Sequence, residues 1–146
     1  MNSEKKTATI LEDVKINVKI KLAALWATVM FLFAYVDIMG NYQPGHIENI
    51  MSGEVAGFQI TQVWLLGVII LMTIPSLMVF LSLALKPKVN RWTNIIVGIL
   101  FIVVQLGSNF IGESWVYYIF ASIVEVVLLL LIVWYAWKWP TQEVSP

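Results

Sequence analysis

Four stretches of this chain, at 22–39, 62–85, 92–111 and 115–137, are apolar and free of Lys, Arg and His. Each is long enough for the roughly 17–25 residues that a membrane-crossing helix needs. A backbone in hydrocarbon must satisfy all its own hydrogen bonds, so a lone apolar stretch of this length is helical. Composition agrees. Hydrophobic residues make up 60% and charged residues 12%, against roughly 45–50% and about 25% in soluble domains. A soluble fold of 146 residues has too little interior to hide so much apolar surface. The expected fold is an all-α membrane protein, a single domain over 1–146 built as an antiparallel bundle of four transmembrane helices.

The joints carry their own signals. Thr61, Asn90 and Ser114 precede spans two, three and four. Such side chains accept from free N–H groups at a helix start. Pro87 and Pro140 follow spans two and four, where helices stop. The joint 111–114 is short, so spans three and four are expected as a tight hairpin. The outer loop 40–61 opens on the turn Tyr42-Gln43-Pro44-Gly45. A short helix bearing Ile47, Ile50 and Met51 is expected next, ending near Gly53. Before span one, residues 13–22 alternate apolar and polar as a strand does. Thr9 and Glu12, however, have the spacing of a capping box. A lone strand would lack a partner, so an interfacial helix over 9–21 is predicted, with its lysines among lipid headgroups. The first apolar run is followed by Asp37-Ile38-Met39-Gly40 and not by a small-residue cleavage site. It reads as a retained span.

Nine basic residues fix the orientation. Lys5, Lys6, Lys15, Lys19 and Lys21 precede span one; Lys86, Lys88 and Arg91 separate spans two and three; Lys138 follows span four. The loop 40–61 and the joint 112–114 contain none. The positive-inside rule then places both termini in the cytoplasm. A bacterial inner membrane is the expected location.

Polar residues inside the spans are the functional signal. In span three, Asn94, Gly98, Phe101, Gln105, Ser108 and Gly112 recur every three or four positions and share one face. Small and polar faces turn toward other helices. Span four carries Glu125, with Tyr118, Ala121 and Ser122 on its face; span two carries Thr73 and Ser76 around Pro75, a kink position. At about 1.5 Å per residue, Glu125 and Thr73 fall near mid-membrane, Gln105 about one turn outward, and Asp37 and Asn109 near the outer edge. The predicted intramembrane polar site is therefore Glu125, Gln105, Thr73, Tyr118, Ser122, Asp37 and Asn109. No basic residue lies at the depth of Glu125. A charged carboxylate there costs at least about 2.5 kcal/mol, so a neutral carboxyl is expected, hydrogen-bonded to Gln105, Thr73 or Tyr118. The plainer alternative is that these groups only glue helices together, at about 0.6 kcal/mol per contact.

Other chemistry is excluded or weak. There is no cysteine, which rules out disulfides and thiolate ligands. Asp37, His46 and Glu48 make a poor metal set, and no metal or other cofactor is expected. No catalytic constellation is present, so the chain is expected not to be an enzyme. Zero net charge gives no reason to expect nucleic acid. The expected partners are the lipid bilayer and either a second copy of the chain or another membrane protein.

The stretches Leu11-Glu12-Asp13-Val14-Lys15-Ile16-Asn17-Val18-Lys19, Tyr42-Gln43-Pro44-Gly45-His46-Ile47, Ile74-Pro75-Ser76-Leu77-Met78, Leu85-Lys86-Pro87-Lys88-Val89-Asn90-Arg91-Trp92 and Ile132-Val133-Trp134-Tyr135-Ala136-Trp137-Lys138-Trp139-Pro140 resemble a domain-of-unknown-function family of small bacterial four-helix membrane proteins. The resemblance covers nearly the whole chain. It implies the four-span fold and carries over no catalytic group. The leading expectation is small-solute or proton-linked transport or binding at Glu125. A site predicts a pocket lined by Glu125, Gln105 and Tyr118. The alternative, an accessory or scaffold subunit, predicts a filled interior and an exposed stripe such as Ala23, Ala27 and Ala34. A membrane enzyme acting on a lipid or quinone comes third.

Overall fold

The computed structural model describes residues 13–111 and 115–141. Four of its helices are long and apolar enough to cross a membrane: α1 (Val18–Gly40), α3 (Gln62–Ala84), α4 (Pro87–Ser108) and α5 (Val116–Trp137). A short α2 (His46–Met51) and a two-strand hairpin, β1 (Glu54–Val55) with β2 (Phe58–Gln59), fill the loop after α1. The hairpin departs from an all-α reading. It exists because Gly53, Ala56 and Gly57 adopt positive φ, a region open to glycine and not visible in the hydrophobic pattern.

Each long helix packs on two neighbours, closing a ring in the order α1, α3, α4, α5. End-to-end contacts show that neighbours run antiparallel. Lys19, in the first turn of α1, donates from Nζ to the carbonyls of Leu83 and Leu85 at the end of α3, at 3.1 and 2.7 Å. At the opposite end, Gln43 donates to the Tyr117 hydroxyl at the start of α5, at 2.7 Å. One end of the bundle thus gathers Lys15, Lys19, Lys21, Lys86, Lys88, Arg91 and Lys138 and is called the basic end. The other carries α2 and the hairpin and is called the loop end.

The termini of the helices correct two readings and leave a third, the Ser114 cap of span four, outside the described residues. Residues 13–17 are not helical; Asn17 caps α1 by accepting from the Lys19 N–H at 2.9 Å. The interfacial helix expected there is absent over 13–17, because the Asn17 cap starts the helix at Val18. Thr9 and Glu12 lie outside the described residues. Second, α4 begins at Pro87 and not at Trp92. Pro87 occupies its first turn, where a missing N–H costs nothing, and Asn90 is a buried helix residue and not a cap. Third, α5 has no side-chain cap at Trp115, and Ser114 lies outside the described residues. Thr61 does cap α3, accepting from the Trp64 N–H at 3.1 Å.

The core forms from one face of each helix. Leu22, Trp26 and Val29 of α1 meet Met78 of α3, Ile95 and Phe101 of α4, and Leu129, Ile132 and Ala136 of α5. In α4 the buried positions include Asn94, Gly98, Phe101 and Gln105, part of the stripe expected from their spacing, and Asn90 one turn before them. At its centre a polar knot joins three helices. Asn94 Oδ1 accepts from Trp26 Nε1 of α1 at 2.7 Å and from Ser82 Oγ of α3 at 3.3 Å. Its Nδ2 donates to the Asn90 carbonyl and side-chain oxygen, and Asn90 Nδ2 donates to the Ser82 carbonyl at 2.6 Å. All of these side chains are inaccessible to solvent. The remaining faces expose a belt of Ile, Leu, Val and Phe, which only an apolar medium covers without penalty.

Gly98 sets the distance between α4 and α5. A Cβ at this position would lie 2.7 Å from Val133 Cγ2. Gly98→Leu is expected to lower stability by about 1–3 kcal/mol, the range for overpacking a filled interface. Gly107→Leu, with nothing within 4 Å of its Cβ, is expected to leave it unchanged. Thermal unfolding in detergent, followed by circular dichroism, separates the two.

Candidate functional site

A cavity of about 130 Å³ lies in the half of the bundle toward the loop end. Its polar walls are Asp37 from α1, Gln105 and Ser108 from α4, and Tyr118 and Glu125 from α5. Phe33, Val36, Met72, Phe101 and Val104 complete it. The sequence explains each placement. Glu125 falls on the inward face of α5 that also holds Ser122, Leu129, Ile132 and Ala136. Gln105 is one turn beyond Phe101 on the buried face of α4. Asp37 sits in the last turn of α1, and its side chain is exposed at the surface while bordering the cavity.

Hydrogen bonds order one wall. Tyr118 donates to Ser108 Oγ at 2.8 Å, and Ser108 donates to the Gln105 carbonyl at 2.7 Å. Asn109 Nδ2 donates to the Gln105 carbonyl and to Ser122 Oγ, at 2.8 and 2.7 Å. These bonds tie α4 to α5 around the cavity mouth. Glu125 stands apart from them. Its side chain is 1% exposed, and its Oε1 is buried with no hydrogen-bond partner among the described residues. Bonds to Gln105, Thr73 or Tyr118 were expected for it and are not formed. Tyr118 is committed to Ser108. A buried polar atom without a partner costs about 1–3 kcal/mol, so this oxygen marks a place where a ligand is gained at low cost.

The structure thus brings Glu125, Gln105, Tyr118 and Asp37 to one cavity and places Ser122 and Asn109 beside it. Thr73 is not brought there. It is exposed, and its hydroxyl donates to the Ile69 carbonyl at 2.7 Å within α3. Ser76 donates to the Met72 carbonyl in the same way. Hydroxyls near a proline often settle on carbonyls of the previous turn, and spacing alone does not reveal which choice wins. Ser108 and Phe33 belong to the cavity. Ser108 was already on the polar stripe of span three; Phe33 carries no chemical signal in the sequence. Two of the lining residues belong to an aromatic cluster: Phe101 meets Trp26 edge-on with centroids 6.3 Å apart, and the Phe33 ring centroid also lies 6.3 Å from that of Phe101. Among the described residues no three of His, Asp and Glu gather as a metal would need.

A ring of four helices, each long and apolar enough to cross a membrane, fits a multi-pass membrane protein. The chain belongs to the family described as Family of unknown function (DUF6326), whose model matches residues 10–146. No curated protein and no solved structure matches it.

Because Glu125 Oε1 makes no bond that an amide would lose, Glu125→Gln is expected to keep the thermal midpoint or raise it. Glu125→Leu should do the same. Thr73→Val is expected to change neither stability nor any ligand response. Asn94→Leu, which strands Trp26 Nε1, is expected to cost about 1–3 kcal/mol. Melting curves of the four variants in one detergent check these expectations together.

Proposed function

We propose that the protein binds a proton or a small cation at Glu125, taken up from the loop end past Asp37. The observation that carries this reading is the pairing of a buried, unpartnered carboxyl oxygen with a cavity whose walls hold two acids and no base. Volume limits the guest. Liquid water takes about 30 Å³ per molecule, so about 130 Å³ holds a few waters or a dehydrated cation. Pockets for metabolite-sized ligands run to roughly 300–1,000 Å³. An acid in the interior of a membrane bundle is also a common mark of proton and ion pathways.

The groups facing Glu125 are Asp37 from α1, Gln105 and Ser108 from α4, and Tyr118 from its own helix; α3 contributes only Met72. No cation offsets the two carboxyls, so a proton or metal ion is the simplest way to neutralise them. Asp37, being exposed, serves as the entry group and Glu125 as the inner one. A path onward to the basic end requires the rings of Trp26, Phe33 and Phe101 to part. We place the bundle in a bacterial inner membrane with the basic end in the cytoplasm, following the distribution of Lys and Arg. A scaffold reading draws less support. Ala23 is buried and Ala27 half-buried, so the small residues of α1 do not form a continuous exposed stripe.

Infrared difference spectra recorded across a pH titration test the proposal. A carboxyl band that responds to pH or to added monovalent cation, is lost in Glu125→Gln and persists in Asp37→Asn is the expected result. A spectrum identical in wild type and Glu125→Gln at every pH and salt sinks the site.

A further inference from the structure

At the basic end, far from Glu125, a second and larger cavity of about 880 Å³ lies between three parts of the chain. The extended segment before α1 supplies Lys15 and Asn17, the first turn of α1 supplies Lys19, the start of α4 supplies Lys88, Arg91 and Trp92, and the chain after α5 supplies Trp139. Four cations line it, and no acid does among the described residues. Like charges do not gather around a concavity without cost, so an anion is the natural complement.

Two further observations sharpen the class of ligand. Arg91 Nε is buried and has no hydrogen-bond partner among the described residues. Its guanidinium is held over the Trp137 ring, 5.6 Å from the centroid, which fixes the plane of the fork while leaving donors unused. A planar fork with unused donors is suited to phosphate oxygens. The cavity also lies at the ends of the apolar helices, between Trp92 and Trp139, beside Ile16 and Val18. Tryptophan side chains favour the level of lipid headgroups, and basic pockets between helices at this level suit anionic lipids.

We propose that this cavity binds a phosphate group carrying net negative charge, with Arg91 and Lys88 as its principal contacts and Lys15 beside them. Lys19 contributes chiefly charge, because two of its three ammonium donors already go to Leu83 and Leu85. The phosphate of an anionic phospholipid and that of a soluble phosphate compound share this chemistry, and the test separates them.

The full chain, purified in detergent, is incubated with phosphatidylglycerol, phosphatidylcholine or inorganic phosphate, and retained ligand is read by native mass spectrometry. Wild type is expected to retain phosphatidylglycerol over phosphatidylcholine. Lys88→Gln with Arg91→Gln should reduce that retention roughly tenfold or more, as expected for losing two charged hydrogen bonds. Lys138→Gln removes one positive charge at the same end but lies outside the lining, and it should retain lipid as wild type does. Displacement of phosphatidylglycerol by inorganic phosphate assigns the site to soluble phosphates; retention despite phosphate assigns it to lipid. If Arg91→Gln fails to fold by circular dichroism, Lys15→Gln with Lys88→Gln carries the same comparison. Equal retention by wild type and the lining variants, or equal retention of phosphatidylcholine and phosphatidylglycerol, overturns the proposal.

Discussion

Asn94 holds the bundle in register. Apolar helices gain little from meeting one another in an apolar medium, so their association rests on close packing and on hydrogen bonds between them. Asn94 reaches α1 through Trp26 and α3 through Ser82 while standing on α4. Its four polar contacts leave none of its atoms unsatisfied, and Asn90 completes the set by bonding the Ser82 carbonyl. The seam between α3 and α4 is otherwise sparsely packed, whereas α4 and α5 meet closely over Gly98. A single amide therefore does for one side of the ring what steric fit does for the other.

Buried polar groups in the bundle fall at two levels. Along α4 the inward positions read Asn90, Asn94, Gly98, Phe101 and Gln105. Below Phe101 the two inward amides, Asn90 and Asn94, are both hydrogen-bonded. Above it, Gln105 and Ser108 border a cavity, and Glu125 lines the same cavity with a buried oxygen that has no hydrogen-bond partner among the described residues. The rings of Trp26, Phe33 and Phe101 divide the two levels. The structural amides stay dry, and the acid stays within reach of the loop end.

Much of this was legible in the residue pattern. Length and hydropathy marked the four long helices, and spacing marked the inward face of α4 and the place of Glu125. The limits were of three physical kinds. Helix ends turn on single caps: Asn17 stopped an expected interfacial helix, and Pro87 began a helix where it was expected to end one. Rotation about a helix axis is undefined near a proline, so Thr73 was assigned inward although it faces out. Pairing partners are invisible in one dimension; nothing in the sequence says that Tyr118 chooses Ser108 and leaves Glu125 alone. Asn90 was within reach, since it continues the spacing of Asn94 and Gly98 by one more turn.

The ring closes by joining its first long helix to its last. Its other extensive seams join spans that are neighbours along the chain, while Trp26 of α1 also reaches Asn94 of α4. The cavity is different, because Asp37 comes from α1 and Glu125 from α5. During synthesis the first acid is in place long before the second exists. A nascent chain released before α5 would hold three helices and an open flank, with no enclosed acid pair. Enclosure of the acid pair therefore waits on the last helix of the chain.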